Sequence, residues 1–162
     1  MIDRRASLRL LLLGGAATGL AACGGAAPTS GTGNEAGTVL GVLRANGATR
    51  FLPAIEEAGL AATLAGDGPF TVFAPTNDAV AAARLPGETE ALRRIVAFHV
   101  VPGMFGTDFL TGVDVDYDTL DGGRLNVDGT GGLAVNGAAI LIPDLGADNG
   151  LVNIIDRVLV PR

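Results

Sequence analysis

The stretch GPFTVFAPTNDAV, residues 68–80, constrains the fold more than any other part of the chain. Gly68-Pro69 is turn chemistry, and FTVFA is a short β-branched and aromatic run, so a strand follows a turn. Pro75 has no backbone N–H and cannot continue a central ladder, which predicts that the strand stops there. Thr76 or Asn77 can then accept backbone N–H bonds at a helix start, and Asp78 in the first turn suits the helix dipole. DAVAAARL reads as the helix, ended before Pro86. This turn, strand, corner and helix contain no His, Cys or Lys and a single carboxylate.

The first residues belong to a different kind of segment. Arg4, Arg5 and Arg9 form a basic region ahead of an apolar run from Leu10 to Leu20, too short to span a bilayer as a mature helix. Arg4-Arg5 with Leu8 and Arg9 resembles a twin-arginine export signal, although Ser7 stands where Phe is usual. LAAC, residues 20–23, resembles the lipobox of bacterial lipoproteins, which implies a signal peptide over 1–22 and a lipid on Cys23. Cys23 is the sole cysteine, so no intrachain disulfide or cysteine-based metal cluster can form. Removing three arginines and one aspartate with the signal takes the formal charge from −6 to −8. GGAAPTSGTGNEAG is small, polar and aperiodic, and 23–36 reads as a flexible tether with a root-mean-square reach of roughly 20 Å.

The remainder, 37–162, fits one domain. It is apolar enough to build a core, at 48% hydrophobic over the whole chain, but aromatics are 4%, so Leu, Val, Ile and Ala must fill it. Thr38 can cap a short helix carrying Val39, Leu40, Val42 and Leu43. A second helix is expected from about Thr49, with Gly59 as its stop, and LAATLAGDG supplies another helical turn. GETEALRRIVAF places acids at a helix start and Arg93 and Arg94 nearer its end, and FHVV from Phe98 reads as a strand stopped at Pro102. RLNVDG, GLAVNG, AAILIPD and LVNIIDRVLVP then read as strands parted by Gly, Asn and Asp. Helices mixed with early strands, followed by a β-rich half, predict an α+β domain.

Three of these segments together resemble the fasciclin domain family. GPFTVFAPTNDAV is similar to its first signature block, FHVVPG to its central Tyr-His block, and NGLVNIIDRVLVP to its second block. The resemblance covers roughly residues 37–162 and implies a compact β-sandwich wedge with several short helices. It also implies an extracellular or surface-attached module, with adhesion to cells or matrix as a common role. Two positions depart from the pattern: Phe98 replaces the usual Tyr, and Asn153 the usual His. The association of the Tyr-His region with integrin binding in animal members therefore does not carry over. Phe98, His99 and Asn153 remain as possible binding contacts.

The residues themselves argue against chemistry. His99 is the only histidine, and no G-x-S-x-G elbow accompanies it. A lone histidine cannot build a multi-histidine metal site. Asp114, Asp116 and Asp118 alternate, but Thr119 and Leu125 occupy the EF-hand positions that need Gly and an acid, so an acidic edge strand is expected instead. The glycines of GDG and TGG are not followed by the GK[ST] of a phosphate loop. Thr71, Phe73, Pro75, Thr76, Asn77, Asp78, Asn149, Gly150, Asp156 and Pro161 suit corners, caps and core rather than a site. An acidic chain without lysine is poorly made for gripping nucleic acid. The expectation is a non-enzymatic binding or adhesion module without cofactor or metal. It is tethered outside the cytoplasm to the cell envelope bilayer through Cys23, and its partner is a protein or polysaccharide surface. The alternative is a carrier of a small apolar ligand such as a carotenoid or lipid.

Overall fold

The computed structural model describes residues 37–161. The signal, Cys23 and the tether expected over 1–36 lie outside the described residues. Helices α1 (Val39–Ala45), α2 (Phe51–Glu57) and α3 (Ala61–Leu64) come first. Strand β1 (Phe70–Pro75), helices α4 (Asn77–Ala83) and α5 (Thr89–Phe98), strand β2 (Val100–Pro102) and the one-turn helix α6 (Thr107–Leu110) follow. The chain finishes with β3 (Asp114–Asp118), β4 (Arg124–Asp128), β5 (Ala134–Val135), β6 (Ala138–Ala147) and β7 (Gly150–Ile155).

The seven strands form one ladder in the order β2-β1-β7-β6-β5-β4-β3. β1 and β7 pair in parallel, Phe70 opposite Gly150 through Pro75 opposite Ile155. Every other pairing is antiparallel. β6 is the bend. Its pairing with β7 slips at Ile140/Ile142 and again at Ile142/Leu145, and such bulges increase local twist and curvature.

Side chains alternate across β1 and β7, so one pair of strands serves two cores. Val72, Ala74, Val152 and Ile154 pack with Val39, Leu43, Phe51, Ile55, Leu64 and Val96 from the helices. Phe73 and Ile155 face the other way and meet Leu125 and Val127 of β4, Val135 of β5, and Leu110 of α6. The far half of the sheet therefore folds back over the near half, which makes the wedge. A hydrogen bond from Leu120 N–H, just past β3, to the Val100 carbonyl of β2 (2.9 Å) ties the two ends of the ladder together.

The local signals around residues 68–80 act as anticipated. Pro75 ends β1, Thr76 caps α4 by accepting the Ala79 N–H at 3.2 Å, and exposed Asp78 sits in the first turn. Two expectations change. FHVV is not a strand from its first residue: α5 runs through Phe98, and β2 begins only at Val100. The apolar face of α5, with Leu92, Ile95 and Val96 buried, extends to Ala97 and Phe98, and this packing outweighs the β-propensity of the FHVV run. The RVLVP end of the last strand is also non-regular, because β7 stops at Ile155.

Candidate functional site

His99 lies at the C-cap of α5 with no accessible surface. The Leu159 N–H donates to its Nε2 at 2.9 Å, and Nδ1 lies 2.7 Å from the Ile95 carbonyl. A backbone N–H can only donate, so Nε2 is the acceptor and Nδ1 carries the proton that bonds Ile95. The Phe51 ring stacks at 5.2 Å, tilted by 55°. Burial pushes the imidazole down from its usual 6.5 to about 4, against a smaller upward pull from the Ile95 hydrogen bond. At neutral pH it is uncharged, fully hydrogen-bonded and sealed. Its backbone carbonyl accepts the Phe73 N–H at 2.8 Å. His99 thus joins α5, β1 and the chain after β7, and has no free nitrogen for proton transfer to a substrate.

The polar residues of the signature blocks make the same kind of join. The side-chain oxygen of Asn149 accepts the Val39 N–H at the start of α1 (3.0 Å), and its amide donates to the carbonyls of Leu64 and Gly66 (2.7 and 2.8 Å). Asn77 accepts the Arg50 N–H at 2.8 Å and donates to the Thr49 hydroxyl, capping α2 from the start of α4. Thr71 donates to the Gly103 carbonyl and accepts the Phe105 N–H (2.8 and 3.0 Å). Asp156 accepts the Ala139 N–H at 2.9 Å, while its own N–H bonds the Ala139 carbonyl. Gly150 is glycine for a steric reason: a Cβ there would lie 2.0 Å from the Phe70 carbonyl oxygen. Pro161 is half-buried at the end of the described chain, lining a cleft with Phe98 and Arg124.

Asn153 is buried in β7 and bonds the Asp144 N–H at 2.9 Å, while its Nδ2 has no partner. Asp144 has φ +54° and its carboxylate accepts both the N–H and the hydroxyl of Thr107. Asn153 therefore fixes the β6 bulge, and the bulge fixes α6. Sequence reasoning singled out neither Asp144 nor α6. The available signal was Pro143, a residue that does not sit in a regular central strand.

These positions correct one expectation. Phe98, His99 and Asn153 are 3%, 0% and 0% exposed, so His99 and Asn153 are interior hydrogen-bonding groups, and Phe98 is a core ring that reaches the outside only as part of a cleft wall. What the surface does offer is apolar. Phe109 of α6 is 74% exposed, Met104 before it 52%, and Leu141 and Ile142 in the β6 bulge 55% and 43%. The Thr107–Asp144 link holds these two elements together. At one edge of the ladder, β3 presents Asp114, Asp116 and Asp118 to solvent. The Asn126 amide donates to Asp114 and Asp116 at 2.6 and 3.0 Å, so an amide bridges those carboxylates.

A model of the fasciclin domain matches residues 46–161. An uncharacterised protein of Synechocystis sp. is 38% identical over 118 residues, covering 68% of this chain and 86% of that one. Transforming growth factor-beta-induced protein ig-h3 of Sus scrofa is 36% identical over 137 residues, which are 77% of this chain but 19% of that much longer protein. Among solved structures, a FAS1 domain pair from the insect cell adhesion molecule fasciclin I superposes with a TM-score of 0.58 at 23% identity, over 71% of this chain and 46% of that one. The three signature blocks, the curled seven-stranded ladder and these likenesses agree: this chain belongs to the fasciclin domain family.

Proposed function

We propose that this fasciclin domain is a non-enzymatic binding or adhesion module that works outside the cytoplasm, held to the cell envelope by a lipid on Cys23. The observation that carries this reading is how the polar groups are used. Thr71, Asn77, His99, Asn149 and Asp156 each bond backbone groups of a distant element. These five side chains are taken up in holding the scaffold. Leu141 and Ile142 meanwhile remain on the outside at the β6 bulge, and exposed apolar patches mark interaction surfaces. The fold neighbour in an insect cell adhesion molecule supports the same reading. The partner is a protein or polysaccharide surface.

A cleft of about 460 Å³ lies between Thr38, Gly66–Pro69, Met104 and Asp148–Asn149. Its acids, amide and backbone suit a carotenoid or lipid poorly, so this cleft favours surface contact over enclosure of an apolar ligand. A colourless preparation from the native host agrees with that choice, and visible absorbance reverses it. The adhesion reading is tested by affinity capture of native envelope and extracellular polymer on the immobilised protein. Retention that falls at least tenfold in Leu141→Ser and Ile142→Ser supports it, on the scale of about 1.4 kcal/mol per decade. Retention unchanged in both variants refutes the placement. Uptake of labelled fatty acid by the wild-type chain, lost in Cys23→Ser, tests the anchor.

A further inference from the structure

The segment from Met104 to Leu110 is fastened at several points yet leaves two large apolar side chains outside. The Phe105 N–H bonds Thr71, the Thr107 N–H bonds Asp144, and the Phe105 ring packs on Tyr117 at 4.3 Å. Leu110 is fully buried in the second core. In a single helical turn the preceding residue points about 100° away from it, and Phe109 is accordingly 74% exposed. Because the segment is fixed, neither Phe109 nor Met104 is a loose side chain awaiting an internal pocket.

The chain enters the domain on this side. The Gly37 carbonyl accepts the Asp148 N–H at 2.7 Å, and Thr38 shares a cleft with Met104, Asp148 and Asn149. We propose that the segment Met104–Leu110 rests on the bilayer that anchors the protein, with Phe109 and Met104 entering the interfacial zone of a zwitterionic leaflet. This rests on the tethered reading above. Fourteen residues, 23–36, separate the lipid site from the point of entry, at most roughly 50 Å of chain. A tether that short raises the effective concentration of the surface to the millimolar range, so even a weak interfacial contact is populated. Charge selects the lipid. Asp67 and Asp148 line the cleft and Asp108 is exposed next to Phe109, so an anionic leaflet repels this face.

The chain contains no tryptophan, so Phe109→Trp gives a single fluorescent reporter at an exposed position. The chain from Cys23 to Arg162, which keeps every described residue, is coupled through its sole cysteine to a maleimide phospholipid. It is then held on phosphatidylcholine vesicles with brominated acyl chains. The expected result for Phe109→Trp is a blue-shifted indole emission quenched by about twofold or more, as for an interfacial aromatic. Val160→Trp, beyond the opposite end of β7, stays unquenched. Emission from Phe109→Trp that matches the uncoupled protein, or equal quenching in the two variants, overturns the proposal. Adding anionic phosphatidylglycerol at low salt is expected to reduce the quenching, and salt to restore it; quenching that rises with anionic lipid overturns the zwitterionic assignment. The chemical coupling makes this test independent of cellular lipidation, so failure of the anchor reading appears separately, as absent fatty-acid label on Cys23.

Discussion

The β1–β7 pair and the β3–β4 hairpin are built from strands of similar length, bounded by similar glycines, yet they live under different rules. β1 and β7 are buried on both faces, and each residue there answers to one of two cores. β3 is exposed along nearly its whole length, and only β4 behind it contributes Leu125 and Val127 to a core. Two of the three signature blocks fall on the first pair and the chain next to it, and the third falls on the end of α5 and on β2, which pairs with β1. The difference teaches that those blocks mark where the fold is over-determined.

The largest effect that tests this contrast comes from Phe73→Ala, which removes a fully buried ring shared by β1 and the second core. It should cost about 4 kcal/mol by urea denaturation, whereas Val115→Ala on β3 should stay within about 0.5 kcal/mol. Similar losses at the two positions would erase the contrast. Next is acid. Between pH 6.5 and 4 the unfolded chain binds a proton at His99 that the folded chain refuses. The stabilisation is whole above 6.5, is lost as the pH falls, and levels off below about 4. That window corresponds to about 3 kcal/mol, and His99→Gln should remove this part of the pH dependence from the denaturation midpoint. Asn149→Ala should cost about 2 kcal/mol, because it abandons the Val39 N–H and the carbonyls of Leu64 and Gly66 together. The smallest change is Asp116→Asn, expected within about 0.5 kcal/mol because the group is exposed. A larger loss there would mean that the hairpin is held by its polar face after all.

Much of the scaffold was legible in the sequence because its signals are local. The turn at Gly68-Pro69, the halt at Pro75, the Thr76 cap and the left-handed Gly59 (φ +71°) each act within a few residues. The acidic alternation of β3 likewise reads correctly as an edge. Signals failed where a distant residue supplies the decisive contact. Thr38 reads as a side-chain cap for α1, but the Val39 N–H is taken by Asn149, 110 residues away. The end of α5 is settled by burial and by the bond from Leu159 to His99, not by the β-propensity of FHVV. The exposed apolar face was not legible at all, since exposure of Phe109 depends on α6 being fastened to a bulge of β6. Phe98, His99 and Asn153 drew attention as departures from, or members of, a family pattern. A pattern of this kind records packing as readily as contact.

The position of β7 has a consequence for how the protein is made. β7 lies between β1 and β6, so the ladder is incomplete until its last strand is available. Its partner β1 is translated some eighty residues earlier and waits with both apolar faces uncovered. The His99 ring waits too, since Leu159 comes even later. A nascent chain still short of β7 therefore lacks the strand that joins β1 to β6. A chain cut just before β7 should be as damaged as one cut in the middle of the domain, because this domain is completed from the inside by its last strand.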